Sequence, residues 1–315
     1  MRGLALITLL AALLVSVTGC GGDDDNGGGT GGSSLSGRIE ADGSSTVGPL
    51  TTAAAERFQR ENSDVQITVG VSGTGGGFER FCAGETDLSN ASRPIEDDEK
   101  ATCEKNGVKF AELQVANDAL TVAANPENDW ATCLTTAQLK KIWDQGSTVK
   151  SWKDVDPSWP DEDLKLYGPG TDSGTFDYFT AEINGDEGRS RSDYSASEDD
   201  NVLVQGVAGG KGALGYFGLS YFEQNQDKLK ALEVDGGDGC VAPSAETAQD
   251  GTYKPLSRPL FVYVKASSLQ EPQVKAFLDY LLANAEDIAK AAQFVPMTSE
   301  QLQKAQSDLK AAESA

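Results

Sequence analysis

The chain has 315 residues, with 49 Asp and Glu against 26 Lys and Arg and no His, giving a formal net charge of −23 at pH 7. So acidic a surface argues against nucleic acid and anionic lipid as partners, and the missing imidazole removes every His-dependent catalytic triad. At a mean hydropathy of −0.37, only the N-terminus is apolar enough to concern a membrane.

One early Arg precedes the apolar run LALITLLAALLVSV, which ends in Thr18-Gly19-Cys20. The run falls short of the ~20 apolar residues that a spanning helix needs. A small-residue site followed by Cys has the form of a bacterial lipoprotein signal peptide over residues 1–19, with Cys20 becoming the lipid-bearing N-terminus. GGDDDNGGGTGGSS has nothing apolar to bury, so residues 20–35 are expected to be a disordered tether. The remainder is long enough for roughly two domains.

SGRIEADGSSTVGPL gives a short strand that enters a hydroxyl-rich turn at Ser45 and Thr46, with Pro49 placed for the first turn of the helix LTTAAAERFQREN. VQITVGV at 65–71 is β-branched and alternating, a strand. It breaks at Ser72, Gly73 and Thr74 into a glycine run. Here two hydroxyls and a backbone with few Cβ atoms let several amides approach one small ligand. Phe78, Phe81 and Cys82 then recur at helical spacing, and a helix N-terminus behind a glycine loop favours negative charge. Gly84 ends that helix, and Ser92-Arg93-Pro94 brings a guanidinium back towards the loop. KFAELQVANDALTVAANP reads as two strands and 129–143 as a helix. This βαβ order implies a mixed sheet with helices on its faces. A second glycine and hydroxyl turn, Asp172-Ser173-Gly174-Thr175, stands between a strand and the helix FDYFTAEI. A strand at 212–222, the strand PLSRPLFVYVK and two periodic helical stretches follow, the last strongly charged and expected on the outside.

Three strand-to-helix turns thus carry the same chemistry, and in open α/β sheets ligands bind where the carboxyl ends of strands converge. A charge-assisted donor contributes about 1.5–3 kcal/mol and micromolar affinity needs about 8, so a handful of donors suffices for an oxyanion. A protonated oxygen also needs an acceptor, for which Asp42, Asp172 and the hydroxyls are the candidates. The competing class is a hydrolase with Ser173 as nucleophile, but GTDSGT lacks GxSxG spacing and only Lys211 is left as a base. SGTGGGF lacks the third glycine of the dinucleotide fingerprint, and there is no Walker lysine. Neither a cofactor nor a metal is expected. With Cys20 lipid-bearing, Cys82, Cys103, Cys133 and Cys240 remain, an even number that implies two disulfides among three connectivities. Zinc is disfavoured by the absence of a CxxC pair.

ADGSSTVGPL (41–50), SGTGGGF with FCAGETDLSNASRPI, YGPGTDSGTFDYF (167–179), RSDYSASEDDNVLVQGVAGGKGALGYFG (191–218) and PLSRPLFVYV (255–264) together resemble the phosphate-binding subunit of ABC phosphate importers, the PstS family, most closely its cyanobacterial and actinobacterial branch. The runs occur in family order over most of the mature chain. The resemblance implies an α/β, two-lobed periplasmic-binding-protein-like fold of type II, with mixed sheets, flanking helices and two hinge crossings. Lobe I would be 36–116 plus 258–315 and lobe II 117–257. It further implies a monomeric, extracytoplasmic receptor, lipid-anchored to the bacterial cell membrane. Such a receptor binds inorganic phosphate and delivers it to permease subunits served by a cytoplasmic ATPase. Another oxyanion, sulfate or molybdate, is the alternative ligand.

The family's ligand positions fall here on Ser45, Thr46 and Val47, on Ser72, Gly73 and Thr74, and on Asp172, Ser173, Gly174 and Thr175, with Val47 and Gly174 acting through backbone N–H. Two positions depart: many members have Arg where this chain has Pro169, and Asp where it has Ser92. Arg93 is expected to supply the missing cation, with Arg258 in reserve. The discontinuous lobes also imply the pairings Cys82 with Cys103 and Cys133 with Cys240.

Overall fold

The computed structural model describes residues 35–171 and 173–313. The stretches expected to be a signal peptide (1–19) and, up to residue 34, a tether lie outside the described residues, as do Cys20 and Asp172. The first elements alternate as their patterns require: β1 (Gly37–Gly43), α1 (Gly48–Glu61), β2 (Val65–Val69), α2 (Gly73–Cys82), β3 (Leu88–Ala91), α3 (Asp97–Lys105) and β4 (Phe110–Ala124). Pro49 sits in the first turn of α1, where its missing N–H costs nothing. The middle comprises β5 (Cys133–Thr135), α4 (Thr136–Trp143), α5 (Trp152–Val155), β6 (Lys165–Gly168) and α6 (Gly174–Phe179), which runs on as a π turn (Thr180–Asn184). Next come β7 (Ser195–Ala196), α7 (Asp200–Ala208), β8 (Ala213–Gly218), α8 (Leu219–Glu223), β9 (Lys230–Ala231), β10 (Glu233–Asp235), β11 (Cys240–Val241) and α9 (Ala245–Gln249). The chain then returns through β12 (Ser257–Lys265) to α10 (Pro272–Ala283), α11 (Ala285–Ala291) and α12 (Ser299–Glu313).

The main sheet runs β2-β1-β3-β12-β4-β8-β6-β7, with β9 also on β4, and a small sheet runs β11-β10-β5. β1 is parallel to β2 and β3, whereas β12 is antiparallel to β3 and β4, so the sheet is mixed. The strand expected over 212–222 ends at Gly218 and gives way to the helix α8, and two other local expectations need correction. The stretch read as two strands is the single strand β4; from Val115 onward every residue is buried, so the alternation that marks a half-exposed strand disappears midway. Residues 129–143 are not one helix. Cys133–Thr135 pairs with β10, and α4 starts only at Thr136, where the Thr135 hydroxyl and Gln138 form a capping box.

Apolar side chains separate into two large cores. One draws on residues 39–116 and 260–309, among them Ile39, Leu50, Phe58, Leu113, Val262 and Phe277. The other lies wholly within 120–256 and is built on Trp143, Trp152, Phe179, Tyr216 and Tyr253. The charged helix α12 is only half external, since Ala305 and Leu309 are buried in the first core. Disulfides join Cys82 to Cys103 and Cys133 to Cys240. The first closes a smaller cluster in which Phe78 and Phe81 of α2 pack on Tyr263 of β12.

Candidate functional site

A cavity of about 720 Å³ opens where the strand-to-helix turns meet. After β1 the chain turns through Ser44, Ser45 and Thr46 into α1, which has no side-chain cap; the Val47 N–H only reaches Ser44 Oγ at 3.4 Å. Beyond β2, Ser72 leads into α2, again without a side-chain cap, and the first turn of α2, Gly73 to Gly76, lines the cavity. Gly73 has φ +78°, which a residue with a Cβ adopts at a cost, so the tight entry into α2 depends on glycine. Uncapped N–H groups at the starts of these two helices are the donors that an anion can satisfy.

The third turn closes on the first. A Cβ on Gly174 would lie 2.6 Å from Thr46 Oγ1 and 3.2 Å from its backbone nitrogen. Glycine is what allows this approach. Thr74 Oγ1 lies 3.0 Å from Ser92 Oγ and accepts the Ser92 N–H at 3.3 Å, tying the start of α2 to the end of β3. Of the expected ligands, Ser45, Thr46, Ser72, Gly73, Thr74, Ser92, Arg93 and Gly174 line the cavity. Val47 is buried in the first core. Ser173 and Thr175 flank Gly174 without appearing on the wall, and the Thr175 N–H donates to Ser173 Oγ at 3.2 Å. Lys211, the one base left to a hydrolase, sits over the ring of Trp130 at 5.0 Å and is not on the cavity wall.

The charged groups differ from expectation. Asp42, a candidate acceptor, is committed elsewhere: it accepts the Gly43 N–H at 2.7 Å and pairs with Arg80 of α2. Arg93 reaches the cavity, but its fork closes on Glu99, with both N–H···O distances 2.8 Å, while Glu96 lies 3.3 Å from its Nε. Arg258, the reserve cation, is bonded to the cradle itself. It donates from Nη2 to Thr46 Oγ1 at 3.0 Å and from Nε to Asp118 at 3.2 Å, and its guanidinium stacks 3.6 Å over the ring of Tyr178.

Residue-type reading passed over the opposite wall, which carries Asp177, Tyr178, Glu182 and Glu187. Asp177 follows Ser173 by one helical turn, and that spacing was the available signal. Burial pushes the Asp177 carboxyl up to about 6, helped by Glu187 and opposed by Arg258. Burial likewise raises Glu182 and Asp118 against the pull of Arg258. The cavity therefore offers a hydroxyl- and amide-rich cradle, one guanidinium bonded to it, and an acidic wall facing both.

Residues 28–285 match the family model of the PBP superfamily domain. The protein SphX of Synechococcus elongatus is 48% identical over 262 residues, covering 82% of this chain and 77% of that protein. The phosphate-binding protein PstS of Staphylococcus saprophyticus is 41% identical over 284 residues, covering 90% of this chain and 85% of that one. The crystal structure of a possible phosphate binding protein from Planctomyces limnophilus superposes with a TM-score of 0.85 at 45% identity, over 89% of this chain and all of that one. With its mixed α/β architecture and its cradle of three turns, the chain belongs to the PstS family of phosphate-binding proteins, two-lobed members of the PBP superfamily.

Proposed function

We propose that this protein is an extracytoplasmic receptor that binds inorganic phosphate and delivers it to an ABC importer, performing no chemistry itself. The observation that carries the reading is the meeting of three turns on one cavity, with Gly174 against Thr46 and Thr74 linked to Ser92. Hydroxyls at Ser45, Thr46, Ser72, Thr74 and Ser92 and amides of the α1 and α2 starts suit a small tetrahedral anion, because each hydroxyl can also accept from a protonated oxygen. Ser173, Gly174 and Thr175 complete the set from the other side of the cavity, and Asp172, next to them in sequence, is proposed as a further ligand.

In this account lobe I is 36–116 with 258–315 and lobe II is 117–257. The division of the two cores supports it, since they part between Ala116 and Leu120 and between Leu256 and Leu260. β4 and β12 then form the crossings. The monomer is held to the membrane by a lipid on Cys20 after removal of residues 1–19, and the permease subunits with their ATPase are its partners.

A thermal-shift panel of phosphate, sulfate and molybdate on the purified protein, with mass analysis of any co-purifying ion, tests the ligand. Stabilisation rising with phosphate concentration and absent with the other two is expected, by the mass action that raises stability whenever the folded state alone binds. A larger response to sulfate or molybdate would reassign the receptor to that anion.

A further inference from the structure

The geometry points to Arg258, rather than Arg93, as the cationic ligand of the bound anion. This inference rests on the phosphate-receptor reading and names the residue that replaces the arginine many relatives carry where this chain has Pro169. Both guanidiniums line the same cavity, so the question is which has donors to give.

Four of the five N–H groups of Arg93 face other partners, and only one on Nη2 is left to give. Its Nη1 serves Glu99 and the Pro94 carbonyl, its Nη2 serves Glu99, and its Nε faces Glu96. Two carboxylates around one cation leave a local charge that repels an anion, and Glu99 is held in place because it also accepts the Glu96 N–H in the α3 capping box. Taking Arg93 from Glu99 would therefore break a bidentate pair and disturb a helix cap.

Arg258 is arranged differently. Its side chain is 15% exposed against 35% for Arg93, so a bond it makes is better shielded from water. Nε is anchored on buried Asp118, and Nη2 reaches Thr46, itself one of the expected ligands. Nη1 makes no hydrogen bond to any described residue. Thr46 Oγ1 accepts from Arg258, so its own proton is free to point at the ligand. Tyr178 lies under the guanidinium plane and is fixed in turn by donating to the Pro255 carbonyl at 2.6 Å. A guanidinium held on one edge and one face, with its other edge open to a cavity of donors, is pre-organised for an oxyanion, and ammonium does not reproduce that fork. Asp118 and Arg258 are also register partners on β4 and β12. The cation is thus mounted on the strands that connect the two cores.

The test is calorimetric phosphate affinity, with melting temperatures, of the wild-type protein beside Arg93→Gln, Arg258→Lys, Arg258→Gln and the charge-balanced pair Asp118→Asn with Arg258→Gln. Loss of about tenfold to 150-fold is expected for all Arg258 variants, the range of one charge-assisted donor, against a change of about twofold or less for Arg93→Gln. Arg258→Lys keeps the charge and the Asp118 pair, so it should bind poorly at an unchanged melting temperature, which separates ligation from a structural role. The paired variant removes the buried unpaired carboxylate and covers the case in which Arg258→Gln alone does not fold. Affinity retained in Arg258→Lys and in the paired variant, or lost in Arg93→Gln alone, would overturn the assignment and leave the receptor reading standing. Absence of phosphate binding by the wild-type protein would overturn both.

Discussion

Gly174 and Thr46 approach so closely that a single methyl group would intervene between the turns meant to share one ion. Gly174→Ala places a Cβ 2.6 Å from Thr46 Oγ1. Overpacking of this kind costs about 1–3 kcal/mol, here at the expense of the liganded arrangement, so phosphate affinity should fall by roughly fivefold to 150-fold with little change in melting temperature. Calorimetry on that variant checks it. Thr74→Ala removes a cradle hydroxyl and the link to Ser92, and should weaken binding by about 1.5–3 kcal/mol; wild-type affinity in Thr74→Ala would remove that turn from the site. Asp177 gives a pH test. Its folded-state value is raised to about 6 from 3.8, so the folded protein holds its proton more tightly than the unfolded chain. Its stabilising effect is full below the unfolded value and is lost as pH rises through the folded one. Asp177→Asn should therefore melt higher than the wild type at pH 7, with the gap closing towards pH 4. A gap independent of pH would mean that the carboxylate is not desolvated. The hydroxyl and glycine turns were legible because their residue types announce their chemistry. The commitments of Arg93 and Asp42 were not, since each depends on a partner, Glu99 or Arg80, whose approach is a matter of folding.

The two disulfides act on separate pieces of structure. Cys82–Cys103 ties α2 to α3 beside the cradle, and Cys133–Cys240 ties β5 to β11 across the small sheet, closing a sequence separation of 107 residues. Replacing Cys133 and Cys240 together by Ala should lower unfolding free energy by about 2–4 kcal/mol while phosphate affinity holds, because no cavity residue belongs to that sheet. Denaturant unfolding and calorimetry on the same sample check both halves, and non-reducing peptide mapping checks the connectivity. Periodicity located α1, α2 and β2 well, each with one buried face. It failed at β4, where burial on both faces erases alternation, and before α4, where a three-residue strand exists only because β10 lies beside it. Element type follows from the local pattern when one face meets water, and from tertiary partners when neither does.

Over the whole molecule, a net charge of −23 surrounds a site for an anion. Screening reduces that field from about 30 Å of reach at 10 mM salt to about 8 Å at 150 mM. The association rate of phosphate should therefore rise with ionic strength over this range, the reverse of a basic steering surface; a rate that falls in stopped-flow measurements would place positive potential at the cleft mouth. Local donors then decide what is held, and the discontinuous path of the chain decides how: one core draws on residues 39–116 and 260–309, the other on 120–256, and in the proposed division into lobes Arg258 stands on the crossing. A calorimetric titration of the wild-type protein with phosphate and, separately, with sulfate at 150 mM salt brings these claims to one number. The account predicts one phosphate per chain at micromolar affinity or better, about 8 kcal/mol or more, and no measurable sulfate binding. Equal affinity for the two anions, or none for phosphate, would contradict it.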